Sequence, residues 1–176
     1  AAEVFQRAEA AGVANGPEIF LPYLSGERTP HNDAQVRGAF VGLDNDSDPN
    51  RLAQAVLEGV AFALADGLDV LREAGAEVAE LAVIGGGARS RYWGETLAAA
   101  MEVPLVYLQG GEVGPALGAA RLAQIAVDGG TPAEVCVAPP VSRRIAPNAE
   151  LTARLAPKKA VFRAAYAQIS PLTHSN

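Results

Sequence analysis

The chain has 176 residues, the size of one ordinary domain, and 49% of them are hydrophobic while only 6% are aromatic. Its formal net charge of −6 excludes a protein that binds nucleic acid through a basic surface, because a phosphate backbone is bound by lysine and arginine side chains. No apolar run reaches the roughly 18 residues that a membrane-spanning helix requires. We therefore expect neither a nucleic-acid partner nor a membrane partner.

The single cysteine, Cys136, cannot form a disulfide within the chain. Unpaired thiols are typical of proteins in a reducing compartment. Residues 1–12 form a charged, amphipathic stretch that does not resemble a signal peptide. We therefore expect a cytoplasmic protein in which Cys136 is chemically inert.

The first 45 residues are predicted to form a short helix and two extended segments. The helix covers residues 3–11 and ends at Gly12. Apolar segments at 19–24 and 39–43 enclose a polar loop over residues 25–38. Polar loops between apolar strands often reach a ligand or a partner.

A long helix is predicted to follow this loop. Asp48 is a favourable N-cap, and Pro49 suits the first helical position. Gly59 and Gly67 stand inside the helix, where each costs about 1 kcal/mol relative to alanine, and we expect both to allow close packing against the sheet. Apolar residues at helical spacing form one stripe that reaches about residue 75: Leu52, Val56, Val60, Leu64, Leu68 and Leu71.

Strands and helices alternate in the second half of the chain. The predicted strands are 81–84 and 104–108, and the predicted helices are 91–101, a helix opening at Gly114, and 158–168, with residues 131–147 as a connection. This order predicts an α/β fold in which at least part of the sheet is parallel.

The best chemical signal is the sequence LAVIGGGARS at residues 81–90. An apolar strand ends in Gly85, Gly86 and Gly87, and Ser90 then caps a helix. Glycine has no Cβ, so a flat ring or a phosphate can contact the backbone there. The helix N-terminus adds unpaired N–H groups and a partial positive charge. The residues alone indicate an α/β domain with a glycine-lined nucleotide pocket.

Two other interpretations of this motif stay open. The turn could join strand to helix without any ligand. The spacing Gly85-x-Gly87-x-x-Ser90 also nearly matches the dinucleotide-binding fingerprint. That fingerprint expects an acidic residue about 20 positions further on, at the end of the next strand, to bind a ribose. Here the next strand ends at Gln109, and Glu112 lies beyond the following glycine turn, so the fingerprint is incomplete.

Two further segments accompany the glycine motif. Residues 110–120, GGEVGPALGAA, begin a small-residue helix that would lie close to the glycine turn, although taken alone they are typical of helix–sheet packing. Residues 21–32, LPYLSGERTPHN, form a loop dense with hydrogen-bonding groups. We interpret His31 as a surface hydrogen-bonding residue rather than a base, and we expect His174 to have no role.

Residues 44–48, DNDSD, resemble the start of a calcium-binding loop. Pro49 stands where such a loop requires glycine, and Ala55 stands where it requires glutamate. The sequence also lacks paired Cys/His spacing for zinc, a G-x-S-x-G motif and a P-loop lysine motif. We therefore assign no metal-binding residue and no catalytic residue to the chain.

Three blocks of the sequence resemble the FGGY sugar-kinase family, and within it the C-terminal half of the xylulose kinases. They comprise residues 21–32 with 37–38 and 42–43, residues 55–67, and residues 84–93 with 114–120. The resemblance extends from about residue 17 to residue 172. The glycine block is shared widely in this family, which also includes glycerol and gluconate kinases, whereas the LPYLSGERTPHN block points to xylulose kinases.

The resemblance implies an actin-like, ribonuclease-H-like α/β fold, with a mixed sheet flanked by helices. Residues 1–176 would form the C-terminal, nucleotide-binding domain of a two-domain kinase. The adenosine of ATP would lie against Gly85, Gly86, Gly87 and Ser90, and Mg²⁺ would bind at the phosphates. Some relatives have asparagine at the position of Ser90. The serine side chain is shorter than that of asparagine.

The resemblance also implies that the intact enzyme phosphorylates D-xylulose, a pentulose, to D-xylulose 5-phosphate. The catalytic aspartate, the phosphate-binding loops and the sugar-contacting residues would precede this chain, which we expect to be inactive by itself. Homodimer formation is a further implication. The alternatives are a sibling kinase acting on glycerol, gluconate or ribulose, and a non-catalytic nucleotide-binding module.

Overall fold

Helices pack around two small β-sheets in the computed structural model, which describes residues 2–111 and 114–174. The helices are α1 (Ala2–Ala11), α2 (Pro49–Glu73), α3 (Arg91–Met101), α4 (Gly114–Asp128), α5 (Pro132–Val135) and α6 (Ala149–Thr173). The strands are β1 (Ile19–Leu21), β2 (Ala39–Val41), β3 (Leu81–Val83), β4 (Leu105–Leu108) and β5 (Val141–Ile145).

The two sheets differ in strand direction. Strands β1 and β2 form an antiparallel pair in which Phe20 lies opposite Phe40. In the other sheet β4 is central, parallel to β3 and antiparallel to β5. The predicted α/β fold with a mixed, partly parallel sheet is thereby confirmed.

The prediction that residues 131–147 form only a connection is wrong, because this segment contains helix α5 and strand β5. Only Ile145 of β5 is buried, and Arg143 and Arg144 precede it. The strand therefore lacks the apolar alternation by which strands are recognised. Its pairing with β4, where Ile145 lies opposite Leu105, places it in the sheet.

Helix α2 begins where the sequence predicts. Oδ1 of Asp48 accepts hydrogen bonds from the backbone N–H groups of Asn50 and Arg51, at 2.8 Å each. The predicted apolar stripe is not the buried face, however, because Leu64 and Leu71 are exposed. The buried positions include five alanines and glycines and three polar residues, and they share only Leu68 with the predicted stripe: Ala53, Gln54, Ala55, Leu57, Glu58, Gly59, Ala61, Phe62, Ala65, Asp66 and Leu68.

The two glycines of α2 have different roles. A Cβ built on Gly59 would lie 2.1 Å from the carbonyl oxygen of Phe20, so strand β1 can approach α2 only because residue 59 lacks a side chain. The expected close packing is confirmed there. At Gly67 a built Cβ would meet no atom of the described chain within 4 Å, so the same expectation is wrong for Gly67.

Helix α6 is longer than predicted, since the sequence indicated a start near Lys158. It begins at Ala149, and Oδ1 of Asn148 accepts a hydrogen bond from the N–H of Leu151 at 3.0 Å. Pro157 lies inside the helix, although proline normally ends a helical pattern. Neither α6 nor any other described helix is long and apolar enough to cross a membrane.

The core lies between α2, α3, α6 and the sheets. The rings of Phe62 and Phe162 are fully buried, with centroids 5.5 Å apart. Leu21 of β1, Leu105 of β4 and Leu155 of α6 are also fully buried. This core fixes the parallel strands β3 and β4, whose carboxyl ends open at one edge of the sheet, where ligands bind in many α/β folds.

Candidate functional site

The glycine motif forms the predicted turn between a strand and a capped helix. Strand β3 ends before Gly85, whose φ of +84° favours glycine, and a 3₁₀ turn then covers Gly86–Arg89. Ser90 Oγ accepts a hydrogen bond from the N–H of Trp93 at 3.1 Å, and so caps α3. The predicted order of strand, glycine turn and helix capped by Ser90 is confirmed.

The three glycines differ in what surrounds them. A Cβ built on Gly85 or Gly86 would meet no atom of the described chain within 4 Å, whereas one on Gly87 would lie 3.3 Å from the indole of Trp93. The positive φ therefore explains why residue 85 is a glycine, and the nearby indole explains why residue 87 is a glycine. Neither explanation applies to Gly86, whose backbone faces open space.

The start of α4 lies next to this turn. The N–H of Gly85 donates a hydrogen bond to the carbonyl of Gly111 at 3.3 Å, and a Cβ built on Gly114 would lie 3.1 Å from Cδ1 of Ile84. The expected proximity of the two motifs is thus confirmed, while Glu112 and Val113 lie outside the described residues. The interpretation of α4 as ordinary helix–sheet packing is wrong, because none of its residues, all of them described, is buried.

Beside the turn, a cleft of about 230 Å³ opens between the ends of β3 and β4 and strand β5. The guanidinium of Arg143 lies 4.0 Å from the centroid of the Tyr107 ring, within the range of a cation–π interaction. Arg143 also donates a hydrogen bond to the carbonyl of Ala88 at 3.0 Å, which links β5 to the glycine turn. The remaining lining residues are Val83, Arg89, Leu108, Gly111 and Ser142.

Burial raises the pKa of Tyr107, and the positive charge of Arg143 opposes that rise. The phenol therefore stays neutral, with its ring face occupied by the guanidinium. Sequence reasoning did not find Tyr107, Ser142 or Arg143 because it did not predict β5, which brings Arg143 over the ring. The available signal was the pair of adjacent arginines after the Pro-rich segment, which is typical of an edge strand.

Three aspartates, two on α2 and one in the turn before it, are held in ion pairs. Asp66 Oδ1 accepts a hydrogen bond from Arg163 at 2.7 Å, and Asp69 Oδ2 accepts another from the same guanidinium at 2.6 Å. Asp44 Oδ2 lies 3.1 Å from Arg51. Within residues 2–111 and 114–174, no three His, Cys, Asp or Glu side chains cluster in a metal-binding arrangement.

The polar loop over residues 25–38 contacts α6. His31 is exposed on one face and stacks on Tyr166, with ring centroids 3.4 Å apart and planes 6° apart. Oδ2 of Asp33 lies 2.7 Å from Nε2 of His174 and accepts a hydrogen bond from the Tyr166 hydroxyl at 3.1 Å. The expectation that His174 has no role is therefore wrong, because it holds the loop.

Comparison with known proteins identifies the family. Residues 1–127 match the model of the C-terminal domain of the FGGY family of carbohydrate kinases. The chain is 48% identical over 166 residues to "Xylulose kinase" of Escherichia coli (strain K12), and 45% identical over 166 residues to that of Klebsiella pneumoniae. Each alignment covers 94% of this chain and 34% of the relative, so the chain spans about a third of their length.

A crystal structure described as a "xyloylose kinase" from Brucella ovis is similar in fold. It superposes with a TM-score of 0.83 at 42% identity, over 97% of this chain and 36% of that one. The actin-like fold implied by the sequence motifs is confirmed. The match of residues 1–127 to the family model, together with this structural likeness, shows that the chain belongs to the FGGY family of carbohydrate kinases.

Proposed function

We propose that this chain is the nucleotide-binding domain of a two-domain kinase that transfers a phosphoryl group from ATP to D-xylulose. The observation that carries the proposal is the open backbone of Gly85 and Gly86 between β3 and the capped start of α3. The relatives named xylulose kinase support the choice of sugar.

The glycine turn suits adenosine. The peptide faces of Gly85 and Gly86 can contact a flat purine, since no Cβ intervenes and no described atom fills the space. Ser90 uses an oxygen lone pair to cap α3, which leaves its O–H free to donate to a nitrogen of the base. The α3 N-terminus contributes a partial positive charge on the same side.

The described residues do not supply a site for Mg²⁺ or a base for the sugar hydroxyl. Asp66, Asp69 and Asp44 are each engaged by a guanidinium, and the described part of the chain has no cluster of metal ligands. Phosphoryl transfer requires the γ-phosphate, the metal and the acceptor hydroxyl to be aligned. We therefore propose that the metal ligands and the base belong to the remaining part of the kinase.

Substitution of Gly86 tests the nucleotide site. Gly86→Ala places a methyl group in the open space without a clash in the described chain, so we expect the fold to persist and ADP affinity to fall roughly tenfold. Gly118→Ala is the matched control, because a Cβ there also meets no described atom. The measurement is a titration with ADP, followed through the backbone amide NMR signals of residues 85–90.

Two results would contradict this proposal. One is the absence of any change in those amide signals at millimolar ADP. The other is an equal loss of affinity in Gly86→Ala and Gly118→Ala, since a site at the glycine turn predicts a loss in the first variant alone.

The sugar is tested in the assembled enzyme. The chain is coexpressed with the remaining part of its own polypeptide, which would supply the sugar-contacting residues, and ATP consumption is measured with D-xylulose, ribulose, glycerol and gluconate in turn. We expect turnover to depend on D-xylulose. Faster turnover with one of the other acceptors would identify that acceptor, and not D-xylulose, as the substrate. ADP binding without any turnover would indicate a non-catalytic nucleotide-binding module.

A further inference from the structure

A β-bulge interrupts the pairing of β4 with β5 at the cleft beside the glycine turn. Tyr107 lies opposite Arg143, whereas the next pair is Leu108 with Val141, so Ser142 is an extra residue of β5. The hydroxyl of Ser142 donates a hydrogen bond to the carbonyl of Tyr107 at 2.9 Å, which holds the bulge against β4. Bulges beside functional sites re-aim the side chains next to them, and here the next side chain is that of Arg143.

The side chain of Arg143 makes two contacts at once. Its guanidinium lies over the Tyr107 ring and donates a hydrogen bond to the carbonyl of Ala88, which is 55 residues earlier in the chain. The ring is a fixed platform, because Tyr107 is buried and a Cβ built on Gly94 of α3 would overlap its hydroxyl. A planar guanidinium can stack on a ring and donate in its own plane, so both contacts fix the same orientation.

The glycine turn gains most from such a support. Three consecutive glycines allow many backbone conformations, and ordering each of them costs conformational entropy. The ends of the turn are held by the backbone hydrogen bond of Gly85 and by the capping contact of Ser90. Between these two ends, the hydrogen bond from Arg143 to Ala88 ties the 3₁₀ turn to the sheet.

We propose that Arg143 is a positioning residue for the nucleotide, and that it acts through the carbonyl of Ala88 by fixing the glycine turn in the conformation that accepts adenosine. This inference rests on the proposed nucleotide site. A turn that is ordered before the ligand arrives loses less conformational entropy on binding, so a pre-organised turn binds its ligand more tightly.

The rival role for Arg143 is a direct contact with a phosphate of the nucleotide, since guanidinium groups bind phosphates well. The contacts with Tyr107 and Ala88 favour the positioning role, because they already engage one face and one N–H group of the guanidinium. The two roles differ in their ligand dependence. Positioning of the turn affects adenosine and ADP equally, whereas a phosphate contact affects ADP alone.

Substitution of Arg143 tests the proposal. Arg143→Met removes the hydrogen bond and the charge, and Arg143→Lys keeps the charge but cannot stack and donate in the same geometry. We expect each variant to bind both adenosine and ADP roughly fivefold more weakly, which is the effect of losing about one hydrogen bond. Affinities are measured by titration, followed through the backbone amide NMR signals of residues 85–90.

Arg144→Met is the matched control. Arg144 is the next residue of β5, but successive side chains of a strand point to opposite faces, and Arg144 pairs with Glu80. We expect its affinities for adenosine and ADP to equal those of the wild-type chain. Circular dichroism verifies the fold of all three variants.

Hydrogen exchange without nucleotide supplies a second measurement. The N–H groups of Ala88 and Ser90 donate to the carbonyls of Gly85 and Gly87 at 3.1 Å each, within the turn. If Arg143 holds the turn, these two amides exchange faster in both Arg143 variants and at the wild-type rate in Arg144→Met.

Four results would overturn the inference. They are unchanged adenosine affinity in Arg143→Met, full affinity in Arg143→Lys, unchanged exchange at Ala88 and Ser90, and a loss confined to ADP, which would assign Arg143 to a phosphate. A wild-type chain that binds neither ligand would overturn the proposed nucleotide site together with this role. Binding that is indifferent to Arg143 would overturn this inference alone.

Discussion

Both oxygens of the Asp33 carboxylate accept hydrogen bonds, Oδ1 within the polar loop and Oδ2 from the segment that contains α6. The hydrogen bond with His174 is the main reason why the pKa of Asp33 falls to about 2, and the backbone N–H groups of Gln35 and Val36 lower it further. Burial acts in the opposite direction. A carboxylate whose pKa is depressed by folding stabilises the folded state in its ionised form.

This depression predicts acid sensitivity of the loop. The contribution of Asp33 is present above the ordinary pKa of an aspartate, near 3.8, and is lost as the pH falls towards 2. Asp33→Asn removes the titrating group. We therefore expect the free energy of unfolding of this variant to change less between pH 5 and pH 2 than that of the wild-type chain. Urea denaturation at several pH values measures the difference.

Asp46→Asn is the control for this experiment, because Asp46 is an exposed carboxylate in the turn before α2. Its pH profile should follow that of the wild-type chain. If Asp33→Asn and Asp46→Asn gave the same profile, the contact with His174 would not contribute to stability.

Local residue patterns predicted only part of the candidate site. The turn from Gly85 to Ser90 follows from its own sequence, since glycine conformation and N-capping are local effects. Tyr107 and Arg143 meet only through the antiparallel pairing of β4 with β5. The Pro-rich segment and the two arginines after it are typical of an edge strand, but they do not indicate that its partner is β4, so this part of the site required the structure.

At the scale of elements, Gly59 and Gly67 make a matched pair within α2. Gly59→Ala forces a methyl group against the Phe20 carbonyl, and we expect it to destabilise the chain by about 1–3 kcal/mol. Gly67→Ala meets no described atom, so the higher helix propensity of alanine should stabilise by up to about 1 kcal/mol. The midpoints of urea denaturation measure both changes, and a Gly59→Ala variant at least as stable as the wild-type chain would contradict the packing of β1 on α2.

The elements that the sequence predicted well are those with local start signals. Asp48 and Ser90 cap α2 and α3, as their positions before helical patterns indicate. The start of α6 was missed, although Asn148 caps it, because Pro157 interrupts the helical pattern nine residues later. The buried face of α2 also depends on its neighbours, and alanine and glycine at close contacts give little hydrophobic signal.

At the scale of the whole molecule, the buried carboxylate of Glu58 connects distant segments. Its Oε1 accepts hydrogen bonds from the N–H of Ala14 at 2.6 Å and from Gln54 at 2.8 Å. Its Oε2 lies 2.6 Å from Nζ of Lys158 on α6, in an ion pair. The hydroxyl of Tyr92 on α3 donates to Gln54 at 2.6 Å and extends the network.

Breaking this ion pair on one side leaves an unpaired charge. We expect Glu58→Met to destabilise the chain by about 3–5 kcal/mol. The double variant with Lys158→Met removes both charges, and we expect it to recover part of that loss, leaving about 1–3 kcal/mol for the unsatisfied N–H of Ala14. Thermal and urea unfolding of the single and double variants measure this coupling, and strictly additive losses would contradict it.

The contact between the polar loop and α6 joins residues that are far apart in the sequence. The N–H of Arg37 donates to Thr173, 136 residues later, and Asp33 pairs with His174, 141 residues later. During synthesis at about 5–20 residues per second, the loop therefore emerges on the order of ten seconds before its partner exists. In that interval a nascent chain exposes LPYLSGERTPHN to chaperones and proteases, and the contact forms only after α6 has left the ribosome.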